Sequence, residues 1–136
     1  MKTSSWLVWA YSLGAGVFAF FSFVGWMPLL PNNISWLALA EDPPTFYLGW
    51  QFFRNSDWSF PIGLSPRYGL ELSNAILFSD SNPLFAFLFK PFSSLLPEVF
   101  QYFGLWLLIC FILQALFAFK LLGLITKNSL IAVLGA

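Results

Sequence analysis

Residues 99–119 read VFQYFGLWLLICFILQALFAF, 21 positions without a charge. A bilayer core of about 30 Å needs roughly 20 helical residues, and in lipid the backbone must satisfy its own hydrogen bonds as a helix. The stretch therefore predicts a membrane-crossing helix over 99–125, with Lys120 near its end reaching the headgroups. Gln114 lies well inside it, and a buried amide faces other protein rather than lipid. A second run, residues 6–30, holds 25 uncharged positions, with Trp6, Trp9 and Trp26 near its ends and Pro28 and Pro31 marking its exit. It predicts another span, flanked by indoles that favour the membrane boundary. Ser12 and Gly16 form a small-xxx-small pair where a second helix could approach.

Lys2 and the Ala38-Leu39-Ala40 stretch also fit a secretory signal. An apolar signal core is only about 7–15 residues long, so the run is read as a retained span. Residues 128–136 begin a third apolar segment and predict a multi-pass protein that continues further.

Composition agrees with a membrane setting. The chain of 136 residues is 59% hydrophobic, 21% aromatic and 9% charged, against roughly 25% charged for a soluble domain. Its net charge is zero, which gives no electrostatic basis for a nucleic-acid partner. It contains no histidine, which excludes histidine-based catalysis and ligation within the chain. Its single cysteine, Cys110, sits in an apolar run and reads as a small buried hydrophobe.

Lys2, Lys120 and Lys127 flank the outer ends of the two spans, whereas all six acids lie in the connecting loop, residues 31–98. The positive-inside bias then predicts a cytoplasmic N-terminus and a loop on the far side of a bacterial inner membrane. The loop carries Trp36, Phe46, Tyr47, Trp50, Phe52, Phe53, Trp58, Phe60 and Tyr68. So many rings must pack together or lie on the membrane. Asp42-Pro43-Pro44 predicts a helix start, with Phe46, Trp50 and Phe53 at helical spacing up to Asn55. Asp80-Ser81-Asn82-Pro83 predicts a second start, closed by Lys90-Pro91. Both short helices read as interfacial. Residues 70–78 fit either a strand or a helix.

Asp42 and Asp80 are the candidate catalytic residues. Capping alone would account for either. Partial desolvation beside lipid and rings also raises a carboxylate's proton affinity, which suits it to deprotonate an acceptor hydroxyl. Two carboxylates could instead hold a divalent cation that neutralises a phosphate leaving group. Arg54, Arg67 and Lys90 are the loop's only cations and hence the candidate substrate-phosphate contacts.

The stretch from Asp42 through Leu48-Gly49-Trp50-Gln51-Phe52-Phe53-Arg54 is followed by Trp58-Ser59-Phe60-Pro61-Ile62-Gly63, Phe78-Ser79-Asp80-Ser81-Asn82-Pro83-Leu84 and Phe100-Gln101-Tyr102-Phe103-Gly104-Leu105-Trp106. This order resembles the N-terminal part of a bacterial family of multi-pass membrane proteins of unknown function. That family in turn resembles the GT-C glycosyltransferases, which take sugars from polyprenyl-phosphate carriers. The resemblance implies an inverting transfer with Asp42 as base, Asp80 in a second acidic motif and the lipid phosphate as leaving group. It also implies about ten further spans, so that this stretch alone would be inactive.

The expectation is thus an all-α membrane protein with two transmembrane helices, the start of a third and short interfacial helices in a long outer loop. Its partners would be the bilayer, a polyprenyl-phosphate sugar and the remaining helices of a longer protein. The alternative is a non-enzymatic transporter or scaffold.

Overall fold

Two long apolar helices emerge from the charge-free runs. The structure, a computed structural model, describes residues 5–39, 42–69 and 73–126. Helix α1 covers Ser5–Phe23 and helix α4 covers Phe103–Ile125. Among the described residues α4 is the one helix long and apolar enough to cross a membrane, the apolar stretch Trp9–Phe23 of α1 being shorter. Its 23 residues rise about 34 Å, against a hydrocarbon core of about 30 Å. Residues 128–136, Lys2, Lys127, Glu41 and Glu71 lie outside the described residues.

The chain divides into two units, Met1–Leu30 with Phe103–Ala136, and Pro31–Tyr102. In the first, α1 and α4 run antiparallel. The ammonium of Lys120 lies 5.1 Å from the Trp9 ring, Phe20 meets Phe111 edge-on at 5.9 Å, and Pro28 faces Gly104. Partners therefore rise along one helix as they fall along the other. Gly16 permits this approach, because a Cβ there would lie 2.5 Å from the Ile112 Cα. Ser12, one turn earlier, is buried.

Both helices are shorter than the apolar runs that contain them. α1 stops at Phe23, where Val24 and Gly25 both donate to the Phe20 carbonyl and Gly25 turns left-handed. Such a glycine ends a helix at little steric cost. Pro28 then sits in a short 3₁₀ turn, Met27–Leu29. At the other end, α4 begins at Phe103 rather than at Val99. Residues 100–102 are held instead by the second unit: the Phe100 carbonyl accepts from Trp50 Nε1 at 3.0 Å, Gln101 N–H donates to the Pro31 carbonyl at 2.7 Å, and Tyr102 Oη donates to the Ser81 carbonyl.

The second unit is built on helix α2 (Pro43–Asn55), helix α3 (Pro83–Phe89) and one antiparallel pairing. Strand β1 (Leu64–Ser65) pairs with β2 (Asn74–Ala75), Leu64 opposite Ala75. This pairing departs from an all-α chain, which otherwise holds: the described residues are mostly helical. Residues 70–72 of the ambiguous stretch lie outside the described residues; the rest takes both forms, β2 leading into a 3₁₀ turn at Ile76–Phe78.

The core of this unit is aromatic. Trp50 is 0% exposed and packs edge-on against Tyr102 at 5.1 Å. Phe85 and Phe89 stack on the same Tyr102 ring. Phe53 meets Phe87 at 5.2 Å. The face of α2 read as interfacial is thus largely internal: Gly49, Trp50, Phe53 and Arg54 are buried in protein.

Candidate functional site

The two cations at the ends of the short helices face inward. Arg54, in the last turn of α2, is 9% exposed. Its Nη1 donates to the Glu98 carbonyl at 3.0 Å, and its Nη2 donates to the carbonyls of Ser93 at 3.0 Å and Leu96 at 2.9 Å. Lys90, directly after α3, is 5% exposed. Its Nζ donates to the carbonyls of Phe53 at 2.6 Å and Ser56 at 2.8 Å, and lies 4.0 Å from the Phe53 ring centroid.

Helix C-termini leave carbonyls without intrahelical partners, and a cation there also complements the helix dipole. Lys90 supplies that service to α2. Burial pushes the Lys90 ammonium below the usual lysine range, and the Asp57 carboxylate opposes the shift. Of the three cations expected at a substrate phosphate, Arg54 and Lys90 therefore have donors committed to backbone oxygens. Arg67 remains exposed.

Both candidate acids are exposed, and their structural settings differ. Asp42 occupies the cap position of α2, yet its side chain makes no capping bond. Its carbonyl serves instead, accepting from Thr45 N–H at 2.9 Å and Thr45 Oγ1 at 2.6 Å. The proline pair at the first two positions starts the helix without a side-chain cap. Asp80 does not cap α3 either: the cap is Asn82, whose side chain accepts from Phe85 N–H at 3.4 Å.

Asp80 lies on a constrained turn. It has φ +52° and Asn82 has φ +49°, both left-handed. Between them Ser81 is fully buried. Ser81 Oγ donates to the Phe46 carbonyl at 2.6 Å, Ser79 Oγ lies 2.9 Å from Ser81 Oγ, and Ser79 Oγ also bonds the Ile76 carbonyl at 3.0 Å. Gly49 makes room for both hydroxyls, since a Cβ there would collide with Ser79 and Ser81. Left-handed non-glycine residues persist where their surroundings over-determine them, and such places cluster at functional sites.

Phe46 belongs to the first turn of α2, which Asp42 precedes. The serine bond thus docks the Asp80 turn onto the end of α2 that carries Asp42. Ser79, Ser81, Gly49 and Tyr102 were not singled out from the sequence. The hydroxyls alternating around Asp80 were the available signal.

Among the described residues no group of three or more His, Cys, Asp or Glu converges.

The model of a family described as a domain of unknown function, DUF6311, matches residues 13–136. The chain belongs to this family. No curated protein and no solved structure matches it. The matched region of the DUF6311 chain includes the Asp80 turn, α2 and α4.

Proposed function

We propose that this chain forms part of a membrane glycosyltransferase that takes a sugar from a polyprenyl-phosphate carrier at the outer face of a bacterial inner membrane. The observation that carries this reading is the Asp80 turn. It holds an exposed carboxylate in a left-handed backbone, beside the buried Ser81 hydroxyl that donates to the first turn of α2. The apolar α4 supports the membrane setting. Its antiparallel partner α1 would then return through the same bilayer, giving two spans with the N-terminus cytoplasmic.

In the reaction, the acceptor hydroxyl loses its proton to Asp42. Its oxygen bonds to the anomeric carbon as the bond from that carbon to phosphate oxygen breaks. The electron pair leaves with the lipid phosphate, so the anomeric configuration inverts. Asp80 orients the acceptor by accepting a hydrogen bond from a second hydroxyl. A positioned general base contributes about 10²–10⁴-fold. Asp42→Asn in the membrane-inserted full protein should therefore lower transfer of radiolabelled sugar from its polyprenyl-phosphate donor by at least about 100-fold. Unchanged transfer in a properly inserted Asp42→Asn variant would refute the assignment.

A transporter or scaffold is the second reading. Exposed Phe60, Phe78 and Leu84 favour it, since they leave apolar surface for a partner. Under that reading the wild-type protein transfers no sugar and Asp42→Asn retains its partner.

A further inference from the structure

The outward face of α2 carries a groove that neither acid enters. Leu48, Gln51, Phe52 and Asn55 recur at the i, i+3, i+4, i+7 spacing of one helix face and, with Arg67, line a cavity of about 320 Å³. Phe52 stacks on Tyr68 at 4.7 Å with an interplanar angle of 13°. That stack braces the turn bearing Arg67 against the helix. Gln51 Nε2 donates to Tyr47 Oη at 2.7 Å, and Asn55 Nδ2 donates to the Gln51 carbonyl at 2.8 Å. Each primary amide has two N–H donors; Asn55 Nδ2 also donates to Gln51 Oε1 at 3.4 Å, so the free N–H for a ligand is the one on Gln51. Arg67 is exposed, and among the described residues no carboxylate pairs with it. A planar five-donor cation beside the Gln51 amide suits an anionic oxygen group. Exposed Leu48 and Phe52 suit an attached hydrocarbon chain.

We propose that this groove binds one anionic phospholipid of the surrounding membrane. Its phosphate sits on Arg67 and the amide of Gln51, and an acyl chain lies over Leu48 and Phe52. The occupant follows from charge complementarity and from α4, which supplies a helix able to hold the chain in a bilayer. The inference is independent of sugar transfer. It would tie α2 to the headgroup layer whatever reaction occurs there.

The test is native mass spectrometry of the full protein released from micelles containing phosphatidylglycerol or phosphatidylcholine. Wild type should retain phosphatidylglycerol in preference. A basic residue near an anionic headgroup contributes about 1 kcal/mol, so Arg67→Gln should weaken that retention about fivefold, and Arg67→Glu further. Leu48→Asn should weaken retention of both lipids. Equal retention of the two lipids by wild type, or an unchanged Arg67→Glu variant, would overturn the proposal. So would displacement of phosphatidylglycerol by millimolar inorganic phosphate, which would mark a free-phosphate site. Displacement by a short prenyl phosphate at trace amounts would reassign the groove to the sugar carrier and likewise overturn the phospholipid. None of these readings depends on Asp42, so failure here leaves the glycosyl-transfer proposal standing.

Discussion

Replacing Arg54 by methionine removes three hydrogen bonds at once while keeping a long apolar stem. The guanidinium ties the last turn of α2 to the carbonyls of Ser93, Leu96 and Glu98 at 2.9–3.0 Å. Bonds to a charged donor contribute about 1.5–3 kcal/mol each. Residues 93–98 are largely exposed, so water replaces part of each lost bond, and about 1–1.5 kcal/mol apiece is the fitting scale. The three together give about 3–4.5 kcal/mol, directed at docking of this segment. An opening equilibrium shifted by about 3 kcal/mol changes the open population by about 100-fold. Chymotrypsin should therefore cut after Leu95 about 100-fold faster in Arg54→Met than in wild type, Pro97 protecting the bond after Leu96. Arg54→Lys should fall between them, because one ammonium cannot reproduce the planar fork. Cleavage of Arg54→Met within about threefold of wild type would refute the role given to these bonds. Full rescue by lysine would show that charge, rather than fork geometry, holds the segment.

Helix positions were legible because local chemistry decides them. Pro43 and Pro83 start α2 and α3 where the proline signals place them, and α2 ends at Asn55 as its aromatic spacing requires. The ends of the apolar runs were not legible, because tertiary bonds set them. Nothing local separates 99–102 from the helix that follows; the bonds from Trp50, from Gln101 to Pro31 and from Tyr102 to Ser81 do so. The partners of the cations were not legible for a related reason. A basic residue in a membrane-facing loop reads as a ligand for phosphate, whereas Arg54 and Lys90 turn inward to helix-end and loop carbonyls that no sequence pattern reveals. At Asp80 the capping logic named the task that Asn82 performs. The serines flanking Asp80 pack against Gly49, more than thirty positions upstream, and no local pattern connects the two.

Two further outcomes test the packing around these sites. Gly49→Ala puts a methyl into the space of the Ser79 and Ser81 side chains, and overpacking of this kind costs about 1–3 kcal/mol. Chemical unfolding in detergent should show that loss, and sugar transfer should fall although both acids remain. A variant as stable as wild type would mean that the serine turn does not depend on this approach. Lys90 gives a pH signature. Its folded-state pKa lies below 10.5 because burial disfavours the ammonium. Between that lowered value and 10.5 the unfolded chain binds more protons at this site than the folded chain, so its contribution to stability rises with pH and is complete above 10.5. As pH falls through the folded value the contribution is lost. Lys90→Met cannot titrate there, so the stability of wild type relative to the variant should climb across that window. Tyr47 and the other groups titrate in both proteins and cancel in the difference unless they couple to residue 90. Asp57, which favours the charged amine, narrows the window; Asp57→Asn should widen it toward lower pH. A flat or falling difference between wild type and Lys90→Met would show that the ammonium is not desolvated against Phe53 and the end of α2.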